Sequence, residues 1–186
     1  FSIKTTTIPS VPFLPQQKVA IKNTTFEAAG YSAFPGWVEP PESLTASPHL
    51  KDKYPLIFSD YHTSKVFNAS WLRNIPILRE ILPFPTLDIN TQTAGERGIK
   101  DGDEVLVESA HGSIKLKARV FSGIRPDTVM ALHGWWQGCE QLKLPGYDFL
   151  GGGANTNNMY ATKGEGVYDP LITAMTSQTL VQVSKI

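Results

Sequence analysis

The sequence predicts a mainly β fold that closes into a small barrel, preceded by an extended N-terminal arm. Three observations predict it. Seven of the fourteen prolines fall in residues 1–53, where each removes a backbone donor and restricts φ. From Tyr54 onward, short apolar runs alternate with turn residues at strand-like intervals. Helical stretches are few and short, and several short strands with little helix indicate a closed barrel.

Residues 1–53 form the arm. Pro9, Pro12, Pro15, Pro35, Pro40, Pro41 and Pro48 argue against a long helix or a central strand. Phe13, Phe26, Tyr31, Phe34 and Trp37 are more aromatic surface than a solvated linker needs. The arm therefore reads as an extended segment packed along a neighbouring surface, with a disordered leader as the alternative. The chain opens on Phe1 without a signal-peptide pattern. A processed protein would explain that, and a fragment cut from a longer polypeptide explains it better, because the opening stretch looks like an interdomain connection.

Residues 54–186 form the second domain. Tyr54-Pro-Leu-Ile-Phe is a buried strand entered through a proline, followed by a polar loop from Ser59 to Ser70. Ser70 is placed to cap a helical passage through Trp71, Leu72, Ile75, Leu78, Ile81 and Leu82 that restarts at Pro76. Thr86-Leu-Asp-Ile alternates as a strand. Asn90 or Thr91 then caps a short helix that Gly98 ends. Lys100-Asp-Gly-Asp is a turn with Gly102 at the position tolerant of positive φ.

Two strands, Glu104–Glu108 and Ser113–Val120, make a hairpin around Ala110-His-Gly. In the second, Ile114, Leu116, Ala118 and Val120 share one face, and Lys115, Lys117 and Arg119 the other. Thr128–His133 and Leu180–Val183 supply two more strands.

Composition limits the function. At 186 residues and 20.5 kDa, with 41% hydrophobic residues, the chain holds one ordinary core and an appendage. No apolar run is long enough to cross a bilayer. Seventeen basic and seventeen acidic residues cancel, which argues against global attraction to nucleic acid or an anionic membrane. The single Cys139 excludes an intrachain disulfide and a cysteine-only metal cage. Paired with His133 it lacks the third orienting group of a nucleophilic site. Asp101-Gly-Asp103 lacks the further oxygen ligands of a calcium loop and is read as a hairpin turn.

The stretch Gly151-Gly-Gly-Ala-Asn-Thr-Asn-Asn carries the chemistry. Glycine allows close backbone approach, and carboxamides offer both a donor and an acceptor. Such a surface suits a polar, phosphate-bearing ligand; a plain surface turn is the other reading. His133-Gly-Trp-Trp reads as a stacking wall or, preferably, as aromatics that close the barrel or meet a preceding domain.

In their order along the chain, these pieces resemble the C-terminal domain of the molybdopterin-guanine-dinucleotide oxidoreductases, the dimethyl sulfoxide reductase family. The resemblance rests on Tyr54-Pro-Leu-Ile, Ile75-Pro-Ile-Leu-Arg-Glu, Ile89-Asn with Ala94, and Gly98-Ile-Lys-Asp-Gly-Asp-Glu-Val-Leu-Val-Glu-Ser. It continues through Gly112-Ser-Ile-Lys, His133-Gly-Trp-Trp, Asn155-Thr-Asn157, Asp169-Pro and Val181-Gln-Val. It implies a double-psi β-barrel, aspartate-decarboxylase-like in fold, holding the guanine-dinucleotide and pterin parts of a bis(molybdopterin guanine dinucleotide) cofactor with molybdenum or tungsten.

By the same resemblance the cofactor-binding residues are Ser59, Tyr61, His62, Lys65, Asn68, Ser70, Asn155, Asn157 and Gln178. The family's Thr-Gly-x-Arg is here Ser59-Asp-Tyr-His62, without the Gly and Arg. Asn157 matches the asparagine of the family's Asn-x-Leu-Thr, with Met159 and Tyr160 in the last two places. Lys65 would meet phosphate as a point charge, or stay solvated. The resemblance places no catalytic and no metal-ligating residue in this segment. It implies an iron–sulfur cluster elsewhere in the parent chain and contact with the preceding domains of the same polypeptide. A further partner it implies is an electron-transfer subunit. Nucleic acid and direct membrane insertion are not expected. The competing reading is a stand-alone double-psi barrel that serves as a binding module without a redox role.

Overall fold

The computed structural model describes residues 22–34, 36–61, 66–67, 71–150, 152–164, 167–168 and 176–186. The chain divides into two compact units, Phe1–Val38 and Glu39–Ile186. In the first, the arm is not uniformly extended: a short helix, α1 (Thr24–Ala28), starts at Asn23, whose side chain accepts from the amides of Thr25 and Phe26. Lys22 pairs with Glu27 at 2.7 Å across it.

The second unit is a closed barrel. Its strands are β1 (Leu56–Tyr61), β2 (Thr86–Ile89), β3 (Glu104–Ser109), β4 (Ser113–Val120), β5 (Thr128–Leu132) and β6 (Thr179–Lys185). They close in the order β1-β5-β2-β4-β3-β6. Pairs β1–β5 and β2–β4 are parallel; the others are antiparallel. Two short helices, α2 (Pro76–Ile81) and α3 (Thr91–Glu96), lie in the connections. This mainly β closed barrel with few short helices is the expected fold class.

Alternation builds the interior. Phe58, Leu87, Ile89, Val105, Val107, Ile114, Val129, Ala131 and Val181 are fully buried, one or two from each strand, as period-two side chains require. On β4, Ile114, Leu116 and Ala118 point inward while Lys115 and Arg119 are exposed, as their alternation predicts. At burial of roughly 25 cal/mol per Å2 of apolar surface, this interior is the main stabilising term.

The local signals act where expected. Asn90 caps α3, its Oδ1 accepting from Gln92 N at 2.8 Å while its amide donates to the Ile124 carbonyl. Gly102 has φ +82 in the turn before β3, where its amide donates to the Ala118 carbonyl at 2.8 Å.

Two expectations need correction. Strand β1 begins at Leu56, after Pro55, and runs on to Tyr61. The polar residues Ser59, Asp60 and Tyr61 are strand, not loop, because they pair in parallel with Met130, Ala131 and Leu132. The helix near Pro76 also starts later. Leu72 has φ +76 and Ile75 is extended, as a residue before proline prefers, so only Pro76–Ile81 is helical. Ser70, the proposed cap, lies outside the described residues. Among those residues, no helix is long and apolar enough to cross a membrane.

Candidate functional site

The candidate site grows from the ends of β1 and β5. β1 delivers Asp60 to the rim, and β5 leads directly into His133-Gly-Trp-Trp, where the His133 amide prolongs the parallel pairing by donating to the Tyr61 carbonyl. Facing them is a short 3-10 helix, Thr156–Met159, capped by Asn155, whose side chain accepts from the Asn157 amide. The Asn155 carboxamide also donates to the Phe149 carbonyl at 2.9 Å. Within this turn Thr156, Met159 and Tyr160 are buried, while Asn157 is exposed.

A polar cluster joins the turn to the barrel. The Asp60 carboxylate accepts from Tyr160 Oη at 2.8 Å on Oδ1 and from Thr156 Oγ1 at 3.2 Å on Oδ2. His133 Nδ1 lies 3.5 Å from the same Oδ2. Burial, and then the neighbouring Asp60 charge, push the Tyr160 phenol well above the ordinary tyrosine range. It therefore remains a donor at any physiological pH.

Two hollows flank the turn. One, of about 500 Å3, is lined by His133, Gly134, Trp135, Trp136, Phe149, Asn155, Thr156 and Asn157. The other, of about 510 Å3, is lined by His111, Gly112, Ser113, Leu150, Gly152, Asn157, Asn158, Tyr160 and Thr162. Asn157 borders both. Its carboxamide has no hydrogen-bond partner among the described residues, in contrast to Asn155 and Asn158, which both donate to the Phe149 carbonyl. Gly112 lets the β3–β4 hairpin approach the turn, because a Cβ there would stand 2.5 Å from the Asn158 carbonyl oxygen.

Behind the first hollow sits a buried cationic stack. Arg73 lies over the rings of Phe67 and Trp135, at 4.6 and 4.9 Å, and Arg79 lies 5.0 Å from Trp135. Arg73 Nη2 donates to the His133 carbonyl at 2.6 Å. Burial, and then the charge of Arg79, lower the Arg73 guanidinium to about 10. The two tryptophans thus divide the roles foreseen for them. Both border the hollow, but Trp135 is buried in the core, whereas Trp136 is 47% exposed.

The structure brings together only part of the predicted set. Asn155 and Asn157 share one turn. Ser59 donates to the Ser177 carbonyl at 2.8 Å, and Gln178 Nε2 reaches the Glu42 carbonyl at 3.5 Å, so these two lie together at the β1–β6 seam. Glu42 also binds Thr179 Oγ1 and His111 Nε2, each at 2.5 Å, which makes it the anchor of that seam. Tyr61 turns its hydroxyl toward Arg119 instead, at 3.3 Å. His62, Lys65, Asn68 and Ser70 lie outside the described residues. Cys139 is buried, its Sγ 3.6 Å from the Asn74 carbonyl, and is remote in its contacts from His133.

Sequence reasoning did not single out Asp60, Thr156 or Tyr160. No local signal marked Asp60, because the first strand was expected to end at Phe58 and only the structure carries it on to Tyr61.

The donor set suits a polar dinucleotide. Asn157 offers an exposed donor and acceptor with no protein partner among the described residues, His111 and Ser113 add polar atoms, and Trp136, Phe149 and Leu150 add exposed apolar surface. The Asp60 carboxylate beneath the turn is covered by its own hydroxyl donors.

Comparison with known proteins agrees with this chemistry. Residues 56–166 match the family described as "Molydopterin dinucleotide binding domain". The chain is 41% identical over 85 residues to a protein of Halobacterium salinarum described as the catalytic chain of a dimethyl sulfoxide reductase, covering 46% of this chain and 10% of that protein. It is 33% identical over 129 residues to dopamine dehydroxylase of Eggerthella lenta, covering 67% of this chain and 12% of that protein. It is 30% identical over 159 residues to acetylene hydratase of Syntrophotalea acetylenica, covering 84% of this chain and 21% of that protein. The chain therefore spans between a tenth and about a fifth of the length of these relatives. The solved structure of acetylene hydratase from Pelobacter acetylenicus superposes on 89% of this chain and 23% of its own, with a TM-score of 0.73 at 24% identity. That likeness concerns the fold.

Proposed function

Because the chain belongs to the molybdopterin dinucleotide-binding domain family, within the dimethyl sulfoxide reductase family, we propose that it takes up a guanine dinucleotide around Asn157. The observation that carries this reading is the Asn157 carboxamide, without a protein partner among the described residues, between two hollows of about 500 and 510 Å3. Asn157 would read the polar edge of the base or the pterin. Trp136 and Phe149 would cover a ring face, and the hairpin tip at His111–Ser113 would line the other hollow. None of these contacts needs a lysine or arginine, because amide and hydroxyl donors discriminate by geometry.

The cofactor, when bound, supplies the molybdenum or tungsten at which redox chemistry proceeds. This domain supplies binding and orientation. Two hollows on either side of one asparagine suit the two dinucleotides of a bis(molybdopterin guanine dinucleotide) cofactor. Two further elements belong to the same proposal. An iron–sulfur cluster would sit elsewhere in the parent chain. The preceding domains of the parent chain, with an electron-transfer subunit beyond them, would be the partners. Ser59 and Gln178 at the β1–β6 seam, Tyr61 at the end of β1, and His62, Lys65, Asn68 and Ser70 in the sequence that follows it complete the proposed contact set.

The test is the guanine nucleotide released on denaturing the full polypeptide that carries this domain. Asn157→Ala should lower the retained nucleotide by about tenfold, the factor that corresponds to one or two lost hydrogen bonds, with thermal stability unchanged. Full retention by Asn157→Ala would refute this assignment of the site.

A further inference from the structure

The Asn157 turn has little cohesion of its own. It is a four-residue 3-10 helix, a form whose hydrogen bonds are poorly aligned. Its internal bonds run from Asn158 N to the Asn155 carbonyl at 3.1 Å, from Tyr160 N to the Asn157 carbonyl at 3.5 Å and from Asn157 N to Asn155 Oδ1 at 3.2 Å. Met159 and Tyr160 pack into the barrel core, and of the side-chain bonds that tie the turn to the strands, two go to Asp60 and one to Ser109.

Asp60 is held rigidly. It lies inside β1, paired with Ala131 of β5, and its side chain is 13% exposed. The two hydroxyls it accepts bracket Asn157, Thr156 just before it and Tyr160 three residues after, from 96 and 100 positions away in sequence. The carboxylate therefore clasps both ends of the turn at once. Because His133 Nδ1 also faces Oδ2, the same group aligns the opposite wall of the first hollow. A second fastening, Ser109 Oγ donating to the Met159 carbonyl at 2.8 Å, ties the turn to β3 at Met159.

We propose that Asp60 is a positioning residue for the dinucleotide site: by clasping Thr156 and Tyr160 it fixes the Asn155–Asn158 turn and the His133 ring so that Asn157 stands between the two hollows. The proposal rests on the dinucleotide reading above. Asp60 touches no ligand itself. Hydrogen bonds to a charged acceptor are about twice as strong as neutral ones, which suits a carboxylate to this task better than an amide.

The experiment uses the full cofactor-loaded polypeptide and two readouts, peptide-resolved amide hydrogen exchange and guanine nucleotide retained per chain. Asp60→Ala should accelerate exchange across residues 155–160 by about tenfold, the factor expected for loss of a charge-assisted bond, and leave β3 and β4 at wild-type protection. Retained nucleotide should fall with it. Asp60→Asn should lie between, since an amide keeps one acceptor oxygen. Thr156→Val should loosen the turn where Thr156→Ser does not; these near-isosteric changes carry the test if Asp60→Ala does not fold. Unchanged exchange at 155–160 in the Asp60 and Thr156→Val variants would overturn the proposal. So would faster exchange with nucleotide content undiminished. A wild-type chain without guanine nucleotide would overturn the dinucleotide reading instead. The exchange data alone would then decide whether Asp60 orders the turn.

Discussion

The guanidinium of Arg119 meets the Asp88 carboxylate side-on, Nε and Nη2 each 2.6 Å from one of its oxygens, at the register where β4 runs parallel to β2. Arg119 Nη2 also donates to Tyr61 Oη at 3.3 Å, so one side chain links three strands at the barrel wall. Asp88 is 8% exposed and Arg119 50% exposed, which leaves the carboxylate dependent on this partner. Arg119→Ala should destabilise the barrel by about 2 kcal/mol, the cost of a nearly buried acceptor losing a charged donor, discounted for the exposed arginine. Arg119→Lys should recover less than half, because an ammonium cannot reproduce the fork. Urea denaturation midpoints at constant m-value would show both.

Tyr61 adds an alkaline signature. Burial, then the Asp88 charge, push its phenol up to about 12, with Arg119 acting in the opposite direction. A raised folded value means that the contribution to stability is fully present below the unfolded value of about 10 and is lost as pH rises through about 12. The stability difference between the wild type and Tyr61→Phe should therefore be flat below pH about 10 and shift against the wild type above it. Urea unfolding across that window measures it.

An acid signature comes from the end of β6. Lys185 Nζ lies 2.7 Å from Asp103 Oδ2, and the Lys100 amide donates to the same oxygen at 2.8 Å. These bonds, that from Lys185 first, hold the Asp103 carboxyl below the usual range. The contribution is present above the unfolded value of about 4 and disappears as pH falls through the lower folded value. Wild type should exceed Asp103→Asn in thermal stability at neutral pH, and the two should converge in acid. Added salt should also narrow the gap, since the pair is near the surface.

Arg79 is a structural keystone of the connection carrying α2. Its guanidinium donates to four carbonyls, those of Pro83 at 2.8 Å, Arg73 at 3.2 Å, Gln137 at 2.9 Å and Pro145 at 3.0 Å, and it is fully buried. Arg79→Met leaves those acceptors without donors and should cost about 3 kcal/mol or more. Arg79→Lys should not rescue it, because three donors on one nitrogen cannot span the planar set. A fall in the thermal midpoint of both variants, with little difference between them, is the expected result.

Within the candidate site, the legible residues were those that announce themselves locally. Asn155 and Asn157 follow a run of glycines and carry side chains that advertise turn and ligand chemistry at once. Asp60, Thr156 and Tyr160 were not legible. Each is ordinary in its own neighbourhood, and their meaning comes from bonds between residues 96 and 100 positions apart. Trp135 and Trp136 make the same point. Adjacent in sequence and identical in type, both border the same hollow, yet one is buried against Phe67 and the other is half exposed.

By itself the sequence determined the strands of the hairpin, the turn at Gly102 and the inward face of Ile114, Leu116 and Ala118, and it narrowed the cap of α3 to Asn90 or Thr91. Those outcomes follow from backbone sterics and period-two alternation, interactions that reach only a few residues along the chain. Tertiary structure alone decided that β1 lies beside β5 and β2 beside β4, in parallel and in the observed register. It also decided that β1 extends to Tyr61 and that the carboxylate of Asp60 finds the turn around Asn157. Closing the barrel satisfies every strand edge at once, and that condition couples residues that no local pattern relates.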